Sequence, residues 1–220
     1  MGFDRYFDER SEKFSAFYGN ERLTRLLGRG ALFDRLRYAV EKAAQTGSKT
    51  VLDIGCGSGP LFEPLASQGI VVTGLEPAPG MLALARAEAA RFPGLVEVRA
   101  GSWNDLSARD QYDMAVALGL FDYVETAADL LSRLGTAAKS VVASFPSPGL
   151  RTEFRKVRYR RGGVQVYGYE RPRISELAAA ASMEVAEARP LGRAGFVVHF
   201  VRSPAPRVAG TDASQGAEEP

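Results

Sequence analysis

The sequence predicts an α/β fold, a mainly parallel β-sheet with helices on both faces. Three observations predict it. Between residues 50 and 202 apolar strand-like runs alternate with helical ones, as in strands joined by crossover helices. The first run, VLDIG (51–55), breaks into alternating glycines, the backbone freedom a tight strand-to-helix turn needs. Late in the chain, PLGRAG (190–195) joins two strand-like runs too closely for a crossover, so one late strand is antiparallel.

The elements follow in order. Residues 1–48 read as one or two helices ahead of the sheet. TVLDIG (50–55) and IVVTGLE (70–76) are strands with a short helix between them. Pro60 suits the first turn of that helix and Pro64 does not suit its interior, so it begins late or bends. PGMLALARAEAARF (79–92) is a helix broken by Pro93 and Gly94, and LVEVRAG (95–101) is the third strand. YDMAVALG (112–119) is the fourth strand, TAADLLSRL (126–134) a helix ending at Gly135, and KSVVASFP (139–146) the fifth strand. RISELAAAASM (173–183) is helical, and the runs 185–192 and 195–203 are the last two strands. Residues 1–202 read as a single domain, with 1–48 as a helical N-terminal lid, the sheet core at 49–202 and a basic insertion at 149–170. The stretch 203–220 has no apolar periodicity, is rich in Pro, Gly, Ala and acids, and reads as a disordered tail.

Bulk properties narrow the class. With 220 residues the chain is long enough for a full core. A formal net charge of +2 is too small to argue for nucleic acid or a membrane surface by itself. No apolar run approaches the roughly 18 residues of a membrane span, and MGFDRYFDERSEKF lacks the apolar core of a secretory signal. One cysteine excludes an internal disulfide and fits a reducing compartment, with the cytoplasm as the default.

In an open parallel sheet, ligands sit beyond the carboxyl ends of the strands. The loop after the first strand, G-C-G-S-G-P-L, is therefore the natural site. Gly55, Gly57 and Gly59 let bare backbone approach a ligand. Their spacing departs from the G-x-G-x-x-G of dinucleotide folds. Asp53, two residues before the loop, would oppose a pyrophosphate but suit a cationic amino group. Glu76 lies 23 residues beyond Asp53, near the distance at which an acid accepts both ribose hydroxyls. Alone, the glycines could simply close a turn; Asp53 and Glu76 in register with them argue for a nucleoside pocket.

VLDIGCGSG and VVTGLEPAPGMLALAR resemble the first motif and the second-strand block of the class I S-adenosylmethionine-dependent methyltransferases, over roughly residues 48–145. The resemblance implies a Rossmann-like three-layer sandwich, with a seven-stranded sheet in which one strand is antiparallel. It also implies S-adenosyl-L-methionine as cofactor and S-adenosyl-L-homocysteine as product. Asp53, Gly55, Cys56, Gly57 and Gly59 would hold the methionine end, and Glu76 the ribose. Pro77, Ala78 and Met81 would lie near the adenine, with Leu118 and Gly119 completing the pocket. Many members place an acid after the third strand against the adenine amino group. Here AGSWNDL offers Ser102 and Trp103, with Asn104 and Asp105 following.

A sulfonium methyl is already activated, so alignment matters more than acid–base machinery. A phenol or alcohol acceptor gains from a base; a neutral amine or carboxylate needs positioning alone. The loop GLFDYVE (119–125) makes Leu120 a substrate candidate and Asp122 and Tyr123 weak catalytic candidates, although Phe121 and Tyr123 also read as core. The single histidine, His199, alternates with apolar neighbours in a strand and reads as structural. Cys56 reads as a small filler, since methyl transfer needs no covalent enzyme step.

Two further stretches bear on the acceptor. In residues 3–18 Tyr6, Phe14 and Phe17 or Tyr18 recur at roughly helical spacing, with Phe7 beside them; Tyr6, Phe7 and Tyr18 are substrate candidates. That face either packs on the sheet or closes as a lid over cofactor and acceptor, as in small-molecule methyltransferases. Residues 151–170 hold six basic residues against two acids, with Arg155 and Tyr159 as substrate candidates, and RYRRGGVQVYGYE alternates like a hairpin around Gly162 and Gly163. A solvated basic face, an anionic acceptor or membrane surface, and RNA compete for this stretch. The combined expectation is methyl transfer to oxygen or nitrogen of a small molecule, anionic or aromatic, with nucleic acid disfavoured. The alternatives are an RNA or protein methyltransferase using the basic stretch, a cofactor-binding regulator without catalysis and, opposed by the glycine spacing and Asp53, a nicotinamide-dependent oxidoreductase. No metal is expected.

Overall fold

A computed structural model of the chain describes residues 21–26, 30–107, 109–160 and 163–203. The aromatic segment before residue 21, with Tyr6, Phe7 and Tyr18, and the stretch after residue 203 lie outside the described residues, as does Gly162.

Two helices come first, α1 (Glu21–Leu26) and α2 (Ala31–Gln45). Alternation then runs β1 (Thr50–Ile54), α3 (Phe62–Ala66), β2 (Val71–Glu76), α4 (Pro79–Ala89), β3 (Val96–Ala100), β4 (Tyr112–Ala117), α5 (Ala127–Ala137) and β5 (Ala138–Phe145). It closes with α6 (Leu150–Arg160), α7 (Arg171–Ala180), β6 (Met183–Pro190) and β7 (Phe196–Arg202). The strands form one seven-stranded sheet in the order β3-β2-β1-β4-β5-β7-β6. All pairings are parallel except those of β7, which runs antiparallel to β5 and β6.

The sheet is covered on both faces. Tyr38, Ala39 and Ala43 of α2, Phe62 and Leu65 of α3 and Ala85 of α4 pack with Val51, Val72 and Val116 on one face. Leu130, Leu131 and Leu134 of α5 and Ile174 and Leu177 of α7 pack with Leu52, Ala115, Val141 and Phe200 on the other. Burial on both faces explains why the central strands read as continuous apolar runs. The stretch expected to act as a lid therefore contains a core helix: α2 is spent largely on packing, and only its first turns reach the ligand side described below.

One local expectation is met for a physical reason, and two are corrected. α3 begins only at Phe62, so Pro64 falls in its first turn, where no intrahelical N–H bond is lost. α5 does not stop at Gly135. It continues to Ala137, and a Cβ on Gly135 would lie 2.7 Å from Sδ of Met183, so this glycine permits close packing instead of ending the helix. The hairpin expected around Gly162 and Gly163 is absent: residues 150–160 are helical. The second arm forms no strand: Val164 and Val166 are buried in alternation, Tyr169 is buried out of that phase, and single backbone bonds join Tyr167 to Asp122 and Tyr169 to Pro146. The period-two signal of that arm was real, but Thr152, Arg155 and Tyr159 recur at a helical spacing that overrides it in the first. Among the described residues, no helix is long and apolar enough to cross a membrane.

Candidate active site

β1 and β4 are neighbours from which the chain winds in opposite directions, through β2 and β3 on one side and β5 on the other. Such a reversal opens a crevice beyond the strands' carboxyl ends. A cavity of about 1190 Å³ lies there, walled by the segments that follow β1, β2, β3, β4 and β5 and by parts of α2 and α6.

The glycine loop forms its floor. Gly55, Gly57 and Gly59 have φ of +66°, +59° and +83°, the left-handed region that disfavours other residues. The amides of Gly55 and Cys56 both donate to the carbonyl of Leu75, at 2.8 and 3.1 Å, which binds the loop to β2. Gly55, Cys56 and Gly57 face the cavity; Gly59 does not. A Cβ at Gly59 would sit 2.4 Å from the Phe62 ring, so its bareness serves packing of α3. Burial, reinforced by Asp53 and Glu76, pushes the Cys56 thiol up, and it stays protonated.

Two carboxylates stand at the tips of adjacent strands. Glu76 is 6% exposed and lines the cavity. Its Oε2 accepts from the Gly57 amide at 2.9 Å and its Oε1 from the Ala78 amide at 3.0 Å. Ala78 itself is off the cavity wall, so the contact expected of it with an adenine is replaced by a backbone bond that orients Glu76. Asp53, 3% exposed, is pushed up to about 7 by burial and by Glu76, with Arg35 opposing.

Arg35, on α2, is a cavity residue that the sequence did not single out. Its Nη1 lies 2.8 Å from where a Cβ on Gly119 would be, and Gly119 has φ +83°. Glycine at 119 thus leaves room for the guanidinium. The Gly119 amide donates to Oγ of Ser144 at 2.8 Å, and Leu118 and Leu120 flank it on the cavity wall.

After β3, Asp105 Oδ2 accepts from the amide and hydroxyl of Ser102 at 2.7 and 3.2 Å, capping a single 3₁₀ turn. This bond occupies Asp105, which does not reach the cavity, whereas Ser102, Trp103 and Asn104 do. The Arg133 guanidinium lies 5.5 Å from the Trp103 ring centroid. Pro77 and Met81 also line this end.

The opposite end carries the acceptor candidates. Arg155 Nη2 donates to Asp122 Oδ2 at 2.6 Å and to the Tyr123 hydroxyl at 2.9 Å. The guanidinium lies 5.7 Å from the ring centroids of both Tyr123 and Tyr159. Asp122 is thus ion-paired, and burial, then Asp122, push the Tyr123 hydroxyl well above its usual range. Neither has the character of a ready base. His199 is buried on β7 away from the cavity, its imidazole disfavoured as a cation by burial and by Lys42.

Comparison with known proteins narrows the reading. Residues 51–140 match the model of a methyltransferase domain family. That segment is similar to a methyltransferase domain from β1 to the start of β5. Over 86 residues the chain is 37% identical to a ubiquinone biosynthesis O-methyltransferase of Azorhizobium caulinodans, covering 39% of this chain and 34% of that one. Over 93 residues it is 40% identical to the protein of that description from Methylobacterium sp., covering 42% and 36%. The matched chain thus spans about a third of the length of these curated relatives. Among solved structures, the magnesium protoporphyrin IX methyltransferase of Synechocystis with bound S-adenosylhomocysteine superposes with a TM-score of 0.75 at 21% identity, covering 90% and 97% of the two chains. A Burkholderia thailandensis 1,6-didemethyltoxoflavin-N1-methyltransferase gives 0.62 at 18% identity, covering 93% and 92%. These superpositions show that the fold is shared over most of the chain, beyond the matched segment.

Proposed function

We propose that the chain is an S-adenosylmethionine-dependent methyltransferase acting by in-line displacement on an oxygen or nitrogen of a small molecule. One observation carries the reading: Asp53 and Glu76, both buried, flank a glycine loop in one cavity at the strand-order reversal. Bound there, S-adenosylmethionine supplies a methyl group on a sulfonium, whose transfer leaves the neutral thioether S-adenosylhomocysteine.

The residues fit that ligand in parts. Glu76 keeps lone pairs for two ribose hydroxyls while the Gly57 and Ala78 amides hold its plane. Asp53 offers its carboxylate to the amino group, and Gly55 and Gly57 present backbone without side chains. Pro77, Met81 and Trp103 supply apolar surface for the adenine, and Asn104 supplies the polar contact expected of an acid. Leu120, Arg155 and Tyr159 form the acceptor chamber. With Asp122 engaged and the Tyr123 proton firmly held, the protein aligns and dehydrates more than it deprotonates. An amine, a carboxylate or an acidic phenol, anionic or aromatic, suits such a site. Nucleic acid is outside this reading. The reading includes one domain over residues 1–202, in the cytoplasm.

Calorimetric titration with S-adenosylhomocysteine and with NADH tests the cofactor. Binding of the first alone is expected; tight NADH binding without it overturns the reading. Labelled methyl donor offered with metabolite extract, total RNA or protein then identifies the acceptor class. Label in a small molecule is expected, label in RNA or protein refutes the small-molecule reading, and cofactor binding without turnover on any pool makes the chain a regulator.

A further inference from the structure

We propose that the outer face of α6 docks the protein on an anionic lipid surface. The helix has two unlike faces. Inward, the Thr152 hydroxyl donates to the Ser147 carbonyl at 2.6 Å, Arg155 is tied to Asp122, and Tyr159 is buried with Val164 and Val166. Outward, Leu150, Phe154 and Val157 are 91, 70 and 63% exposed. They follow one another at i, i+4 and i+7, an apolar stripe about 10 Å long at 1.5 Å rise per residue.

The charge beside this stripe selects the occupant. The helix carries five basic residues against the single acid Glu153. Arg155 and Lys156 are paired, with Asp122 and Glu153, but Arg158 and Arg160 are exposed and make no ion pair among the described residues. A second copy of this chain would bring the same excess of positive charge against itself. RNA would meet the arginines but leave the aliphatic stripe without a partner. A bilayer boundary matches both, since anionic headgroups face arginine while leucine, phenylalanine and valine enter the acyl region.

The cavity opens on this face, because Leu150 and Phe154 line its mouth as well. An acceptor with an apolar body would pass from lipid to the chamber without crossing water. That consequence rests on the methyl-transfer reading; the docking surface does not.

Co-sedimentation of the full chain with vesicles tests it. We expect binding to phosphatidylcholine–phosphatidylglycerol vesicles that weakens with added salt, and affinity about tenfold lower for phosphatidylcholine alone. The double variant Val157→Asp, Arg160→Glu lies outside the cavity wall. It is expected to bind the mixed vesicles about tenfold more weakly while retaining wild-type affinity for S-adenosylhomocysteine. No pelleting, equal affinity for both lipids, or unchanged binding by the folded variant would overturn the proposal. So would loss of a dimer or of bound RNA, in place of loss of vesicle binding. Vesicle binding without S-adenosylhomocysteine binding would instead sink the cofactor reading and leave the surface standing.

Discussion

The amide of Gly57 donates to Oε2 of Glu76 at 2.9 Å, so the loop after β1 is held in shape by the acid at the tip of β2. The residue proposed to read the ribose therefore also builds the backbone proposed to receive the methionyl end. Glu76→Ala is expected to weaken S-adenosylhomocysteine binding by about 1–3 kcal/mol, through lost hydroxyl contacts and a loosened loop. Calorimetry reads the change, and wild-type affinity would remove Glu76 from the site. Glu76→Gln should be only partly corrective, because an amide NH₂ cannot accept from both backbone N–H groups.

Asp53 makes binding pH-dependent. Its carboxyl is raised to about 7 by burial and Glu76. An ammonium group arriving beside it favours the charged form and draws that value down again. Binding at pH 6 is thus expected to release a proton, and affinity to rise with pH until Asp53 is ionised beforehand, above about pH 8. Calorimetry in buffers of different ionisation enthalpy measures the proton count, which should vanish in Asp53→Asn.

The stability sign runs the other way. An unfolded aspartate titrates near 3.9, about three units lower. The folded ligand-free protein therefore binds the extra proton between those values, and this contribution to stability is lost as pH rises from about 4 through 7. Asp53→Asn should flatten that part of the pH–stability curve while weakening ligand binding. An unchanged curve, measured by urea unfolding, would show that Asp53 titrates normally.

Gly119→Ala places a methyl 2.8 Å from Nη1 of Arg35, at a residue with φ +83°. The backbone alone costs about 1–2 kcal/mol, and the guanidinium must also move. Chemical denaturation should register the first effect and a weaker S-adenosylhomocysteine titration the second. Arg35→Ala in the same background should leave only the backbone cost.

Arg155→Ala strands the carboxylate of Asp122, which is 7% exposed. Removing one partner of a buried pair costs about 3–5 kcal/mol, and the partial exposure of the Arg155 side chain sets the expectation at the lower end. Asp122→Asn added to the variant should recover part of the loss. Additive effects in this double-variant cycle would mean the pair contributes little.

The central architecture was legible because β1, β2, β4 and β5 are short, largely apolar and closely followed by a glycine or proline signal. Asp53, Glu76 and the glycine loop were legible because their spacing along the chain maps directly onto two adjacent strand tips. Arg35 was not, since an arginine on an amphipathic helix reads as solvated until packing turns it toward Gly119. Asp105 reads as a ligand contact until its bonds to Ser102 are seen. The basic stretch misled most: Val164 and Val166 alternate with exposed neighbours as strand residues do, whereas the preceding residues take their periodicity from the face that buries Tyr159. Gly135 carries the sequence signature of a helix end, and only the thioether of Met183, 48 residues away, explains its place inside α5.

α2 joins the cavity to the antiparallel edge. Its first turns carry Arg35 at the cavity wall, and its later turns are clamped to that edge, with Lys42 paired to Glu187 and Arg189 stacked 4.6 Å over the Tyr38 ring. A tilt of this rod at the pocket cannot occur without disturbing the margin formed by β6 and β7. Occupancy should accordingly leave a distant imprint, as slower amide exchange along Val185–Arg189 far from any atom the nucleoside touches.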